Sequence, residues 1–259
     1  MEQTFTFEDH NGHSVAAIAA TPTRDTDAMV VLCHGFLSNK NSSSNKALTR
    51  LLTDQGVATL RFDFFGHGDS EGPFKALTVT TALDQVIAAL DVAVSRGYRR
   101  LGLIGSSFGG LIAILAASQR KDLSALALKC PVGDFPEVLR LEFGETGIDR
   151  WRLGNTIPDV TGGTRPVPLL FRFYEDCLAY DVYKTAESIT TPTLIVQGGC
   201  DELVPLHQSR RLFEAINAAK DLKILEGADH GFTKADDFRT MATMLADWML
   251  NSLKDRKVS

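Results

Sequence analysis

Short apolar runs alternate with amphipathic stretches along most of this chain, and few folds accommodate that pattern. Met29-Val30-Val31-Leu32-Cys33 contains no polar residue, as expected of a strand covered on both faces. Residues 57–62, 101–104, 125–128, 193–196 and 222–225 read as further short strands. Between them, helices are expected near 46–55, 79–96, 109–119, 207–219 and 236–254. Leu83, Val86, Ile87, Leu90 and Val94 recur at helical spacing, and Gly56 and Gly97 stand where helices close. Strands alternating with helices require crossover connections, so the expected class is α/β: a mostly parallel central sheet with helices on both faces. Residues 4–9 and 13–20 flank Asn11-Gly12, a hairpin signal that adds an antiparallel N-terminal edge.

One stretch breaks this rhythm. Residues 131–185 carry Trp151, Pro158, Gly162, Gly163, Pro166 and Pro168, then an aromatic cluster at Phe171, Phe173 and Tyr174. An insertion this long between neighbouring strands reads as a small cap, leaving 1–130 and 186–259 as the core. The 27 basic and 32 acidic residues give a net charge of −5, which argues against a nucleic-acid partner. No run approaches the ~20 apolar residues of a spanning helix, so stable membrane insertion is not expected. The first residues lack the basic start and apolar stretch of a secretory signal, so the expected compartment is the cytoplasm. Cys33, Cys130, Cys177 and Cys200 are scattered, with neither a disulfide framework nor metal-ligand spacing. Nothing in the sequence indicates an oligomeric state.

In open parallel sheets, reactive residues gather in loops at the carboxyl ends of the strands. The loop after 101–104 reads Gly105-Ser106-Ser107-Phe108-Gly109, a G-x-S-x-G turn between a strand and a helix. Only Ser107 has glycine two before and two after it; Ser106 reads as a packing residue. A serine hydroxyl needs a base to act as a nucleophile. Among His10, His13, His34, His67, His207 and His230, the last lies in Gly227-Ala228-Asp229-His230-Gly231, directly after the final strand. The imidazole in turn needs an acid to orient it. Asp201 comes first beyond the two glycines of Gly198-Gly199-Cys200-Asp201-Glu202, with Glu202, Asp229, Asp63 and Asp69 as rivals. His34-Gly35-Phe36 follows the first buried strand, so the Phe36 and Phe108 amides are candidates for an oxyanion hole.

These four loops, with Asp63-Phe64-Phe65-Gly66-His67-Gly68-Asp69-Ser70, resemble the α/β-hydrolase superfamily almost end to end. Within it, the chain is similar to small bacterial serine carboxylesterases of the cinnamoyl/feruloyl-esterase type and to monoacylglycerol-lipase-like enzymes. The resemblance implies a triad of Ser107, Asp201 and His230 and an acyl-enzyme on Ser107. It also implies a small-molecule ester substrate with a short-to-medium or aromatic acyl group, and no metal or organic cofactor. Activity is expected to rise with pH as an imidazole base loses its proton. Trp151, Phe171, Phe173 and Tyr174 are candidates for the substrate pocket or, alternatively, for the core of the cap, and Asp176 for binding a phenolic hydroxyl. A lipase, thioesterase or peptidase would use the same triad, and a non-catalytic ligand-binding protein of this fold is the remaining alternative.

Overall fold

The apolar runs of the chain lie side by side at the centre of one sheet. The computed structural model describes residues 1–158 and 164–254, so Gly162 and Gly163 of the insertion lie outside the described residues. In chain order the elements are β1 (Glu2–Glu8), β2 (Ser14–Ala20), β3 (Ala28–Cys33), α1 (Ser43–Asp54), β4 (Ala58–Phe62) and α2 (Val79–Ser95). They continue as β5 (Arg100–Ser106), α3 (Phe108–Gln119), β6 (Leu123–Lys129), α4 (Phe135–Gly154), β7 (Thr156–Ile157) and β8 (Val167–Pro168). The last are α5 (Arg172–Leu178), α6 (Val182–Ala186), β9 (Thr193–Gly198), α7 (Leu206–Ala215), β10 (Lys220–Leu225) and α8 (Ala235–Ser252).

Among the described residues the main sheet has eight strands in the order β1-β2-β4-β3-β5-β6-β9-β10. β1 and β2 pair antiparallel, β2 meets β4 antiparallel, and every later neighbour is parallel. The expected α/β class and antiparallel edge are therefore present. Side chains alternate between two cores. Val31, Leu60, Leu103 and Leu128 face α2 and α3, while Val30, Leu32, Ile104 and Ala127 face α1 and α8. Helix α3 is buried from Phe108 to Ala117, which suits a sequence apolar on every side.

Several boundaries move for identifiable reasons. Helix α1 begins at Ser43 because the Ser42 hydroxyl caps it, accepting from the Asn45 N–H at 3.3 Å. Helix α7 ends at Ala215, short of residue 219, because the Ala219 carbonyl is already pairing with the Thr193 N–H at 2.9 Å. No described helix is long and apolar enough to cross a membrane.

Between β6 and β9 the insertion folds as α4, the short β7–β8 pair, α5 and α6. Trp151 is 1% exposed at its centre and donates its indole N–H to the Leu169 carbonyl at 2.6 Å. Its ring packs on Phe171 at 5.4 Å and on Tyr174 at 5.9 Å between centroids. Truncating a buried tryptophan removes both transfer energy and packing, so Trp151→Ala is expected to destabilise the chain by about 3–5 kcal/mol. Urea denaturation followed by far-UV circular dichroism measures this, and a loss under about 1 kcal/mol would contradict the packing described.

Candidate active site

The turn that carries Ser107 is made by close approach of backbones. β5 ends at Ser106, α3 starts at Phe108, and Ser107 between them has φ 54° and ψ −116°. A side chain held at positive φ costs of order 1–3 kcal/mol and persists only where its surroundings enforce it. Here a Cβ on Gly105 would lie 2.3 Å from the Gly109 carbonyl oxygen, and one on Gly109 would lie 2.4 Å from that of His34. The Ser107 N–H donates to the Lys129 carbonyl at 2.9 Å, while its own carbonyl accepts from Gly110 and Leu111 at the start of α3. Ser106 is half-buried and also lines the cavity.

His230 follows β10, and its Nδ1–H faces both carboxylate oxygens of Asp201, at 3.0 and 2.9 Å. This bond leaves Nε2 as the basic nitrogen of the neutral ring. The Asp201 carboxylate is 1% exposed and also accepts from Gln197 Nε2 at 2.7 Å and from the Leu203 and Val204 N–H groups at 2.9 and 2.8 Å. Burial opposes the charge on Asp201, but the bonds from His230 and Val204 hold its pKa below the ordinary carboxylate value. The rival acids are engaged elsewhere. Asp229 turns to Thr233, Glu202 accepts the His230 backbone N–H at 3.1 Å, and Asp63 and Asp69 both meet Lys40.

The Phe36 and Phe108 N–H groups have no hydrogen-bond acceptor among the described residues, and that of Phe108 opens helix α3. Free amides at a helix start favour negative charge. Two devices hold the Phe36 loop. The His34 Nδ1–H donates to the Gly35 carbonyl at 2.8 Å, and His34 Nε2 accepts from the Phe64 N–H at 3.0 Å. Asp63 accepts from the Lys40 backbone N–H at 2.6 Å and pairs with the Lys40 ammonium. The D-x-x-G-x-G-x-S segment therefore braces this loop. Burial, with His67 adjacent, holds the His34 pKa down at about 3.

Ser107, His230 and Phe36 line one cavity of about 300 Å³. Its apolar wall comes from Val132 and from Phe135, Val138 and Leu139 on one face of α4. These residues escaped the sequence reading, although Phe135, Val138, Leu139 and Glu142 recur at helical spacing along that face. Trp151, Phe171, Phe173 and Tyr174 do not line the cavity; they are buried within the insertion, with Phe173 also packing behind Phe36 at 5.5 Å. Asp176 is likewise elsewhere, accepting from the Thr80 N–H and hydroxyl at 2.9 and 2.7 Å at the start of α2. The donor atoms of Cys130, Asp201 and His230 lie within 4.8 Å of one another, close enough for an ion, but the imidazole and carboxylate already bind each other.

Residues 30–240 match the profile of the Alpha/beta hydrolase family. A monoglyceride lipase homolog of Monkeypox virus is 24% identical over 256 residues, covering 88% of this chain and 91% of the relative. The mitochondrial palmitoyl-protein thioesterase ABHD10 of Rattus norvegicus is 24% identical over 228 residues, covering 84% and 74% respectively. Among solved structures, Est1E from Butyrivibrio proteoclasticus with ferulic acid bound superimposes with a TM-score of 0.83 at 25% identity, covering 96% of this chain and 98% of Est1E.

The buried His34 makes the fold pH-dependent with a definite sign. The folded protein takes up this proton only near pH 3, whereas an unfolded histidine binds it near about 6.5. The stabilisation is therefore complete above about pH 6.5 and lost as pH falls towards 3, at up to about 1.4 kcal/mol per pH unit. His67, also depressed by burial, acts in the same direction. Denaturant titrations between pH 7 and 4 are expected to show a shallower slope for His34→Gln than for wild type, and equal slopes would refute the assignment.

Proposed function

The chain belongs to the Alpha/beta hydrolase family, and we propose that it is a serine carboxylesterase acting on short-to-medium acyl or aromatic esters. The observation that carries this reading is the meeting, around one cavity, of a serine on a positive-φ turn and an imidazole whose Nδ1 is bound by a buried carboxylate. In the proposed reaction His230 takes the Ser107 proton as the hydroxyl oxygen attacks the ester carbonyl. The resulting oxyanion accepts from the Phe36 and Phe108 amides, and such a donor typically contributes about 3 kcal/mol in the transition state. His230 returns the proton to the departing alcohol, leaving an acyl group on Ser107. Water, deprotonated by the same imidazole, releases the acid and restores the serine. Asp201 keeps the proton on Nδ1 so that Nε2 can accept.

The cavity supports the acyl preference. About 300 Å³ is at the small end for a ligand site, and Val132, Phe135, Val138 and Leu139 offer an apolar wall, with Lys129 and Glu142 also lining the cavity. The ferulic acid bound to Est1E favours an aromatic acyl group in the same direction. The thioesterase and lipase relatives favour a second reading, in which a longer chain is cleaved from a thiol or glycerol by the same residues.

A series of p-nitrophenyl esters from acetate to palmitate separates the two. Turnover is expected to peak at short-to-medium chains, and Ser107→Ala is expected to lower kcat by at least about 10⁴-fold. A peak at palmitate would favour the second reading. Undiminished activity in Ser107→Ala would remove the serine mechanism altogether.

A further inference from the structure

A buried lysine stands between the serine turn and the histidine loop, and the chemistry above gives it no part. Lys129 ends β6, is 6% exposed and lines the same cavity as Ser107 and His230. It pairs with Ser106 of β5 on one side and with Val196 of β9 on the other, so it lies between the strands that carry the candidate nucleophile and acid. Removing an ammonium from water costs several kcal/mol. Among the described residues Lys129 makes no ion pair within 4 Å to offset this. Its Nζ donates instead to the backbone carbonyl of His230 at 3.0 Å and lies 5.4 Å from the centre of the Phe232 ring. Its own carbonyl accepts the Ser107 N–H at 2.9 Å. One residue thus binds the nucleophile through its main chain and the base through its side chain.

The opposite end of His230 is held by the opposite charge. Its backbone N–H donates to Glu202 Oε2 at 3.1 Å, and Glu202 adjoins Asp201, which binds the ring. His230 is therefore fixed at three points: ring, amide and carbonyl. An orienting carboxylate fixes the tautomer and direction of an imidazole, but it does not fix how far the backbone stands from the serine.

We propose that Lys129 and Glu202 are positioning residues that clamp the His230 backbone and set the spacing between His230 Nε2 and Ser107 Oγ. The proposal rests on the serine reading above. It also gives Glu202 a role other than that of triad acid. Displacing a catalytic group by about 1 Å costs on the order of 10²-fold in rate, so loss of the clamp appears in kcat rather than in substrate affinity.

The test measures kcat and KM on a neutral short-chain p-nitrophenyl ester, with kcat expressed per Ser107 titrated by a fluorophosphonate. Lys129→Met keeps the length of the side chain and removes the donor, and Glu202→Ala removes the acceptor. Each is expected to lower kcat about 10- to 100-fold with KM within about twofold of wild type. Glu202→Gln keeps an acceptor oxygen and is expected to recover most of the Glu202→Ala loss. A merely structural role would reduce the titratable fraction and leave kcat per labelled site unchanged, which would overturn the proposal. A loss carried by KM would overturn it too, making Lys129 a substrate contact. If Lys129→Met fails to fold, the comparison of Glu202→Ala with Glu202→Gln decides the matter. A wild type that turns over while both variants match it sinks this inference alone; one that neither turns over nor labels sinks the serine reading with it.

Discussion

The end of this sheet is organised by two positions that lack a Cβ. A Cβ on Gly105 would meet the Gly109 carbonyl oxygen of α3 at 2.3 Å, and one on Gly109 would meet the His34 carbonyl oxygen after β3 at 2.4 Å. Nothing larger than hydrogen fits there, so the chain leaves β5 and enters α3 in a single step. That step forces Ser107 to φ 54°. The strain is balanced by contacts that extend outward: the Ser107 N–H to β6, its carbonyl into the first turn of α3, and the fully buried body of that helix between strand and crossover. Strained residues persist only when overdetermined in this way. The sheet order supplies the remainder, because β3, β5, β6 and β9 run parallel and deliver their following loops to one edge.

How much of this is legible in the sequence depends on the range of each contact. Apolar runs, helical spacing and glycine punctuation are local, and they mark the strands, the crossovers and the serine turn. The order Ser107, Asp201, His230 is readable because each follows a strand, and strand ends in a parallel sheet meet at one edge. What the sequence cannot announce is the far partner of a polar side chain. Asp63 pairs with Lys40 across 23 positions, Lys129 meets His230 across 101, and His34 reaches Phe64 across 30. None of these pairs has a spacing that singles it out. The partners of the other acids are equally invisible, since Glu202, Asp229 and Asp69 each face donors that their position in the chain does not announce.

The braced loop after β3 shows why such partners matter. A backbone amide can stabilise a developing oxyanion only if it is already aimed at it, because reorientation during reaction would consume the stabilisation gained. A surface loop left to itself samples many orientations. Here the loop is fixed at His34, whose two ring nitrogens bond to Gly35 and Phe64, and at Lys40, whose amide and ammonium both meet Asp63. The Phe36 ring adds packing against Phe74, Phe108, Phe135 and Phe173 at 5.5–5.9 Å. Both buried polar devices are satisfied within the fold, which is the condition for burial to rigidify rather than destabilise.

The insertion divides its hydrophobic residues between two tasks. Its large aromatics face inward, where Trp151, Phe171 and Tyr174 close on one another and the indole N–H finds a carbonyl. Phe135, Val138 and Leu139 face the cavity from consecutive turns of α4. An aromatic cluster in an insertion reads from sequence either as a binding surface or as a core, because aromatics dominate both. Large side chains bury the most area in a core, and Trp151, Phe171, Phe173 and Tyr174 join the same hydrophobic cluster as Val79 of α2 and Phe108 of α3. The residues left for the cavity wall are then those of a single helical stripe whose backbone is anchored at Asp134 and Gln208, the latter bonding the Gly133 and Asp134 amides at 2.9 and 3.1 Å. Gly144 breaks the helical dihedrals of α4 nine residues beyond Phe135, after the stripe ends, so the wall belongs to the anchored half, while Trp151 lies beyond the break and packs on Phe143 before it at 6.2 Å. The cavity wall thus rests on the first half of one helix, and the buried Trp151 on the second.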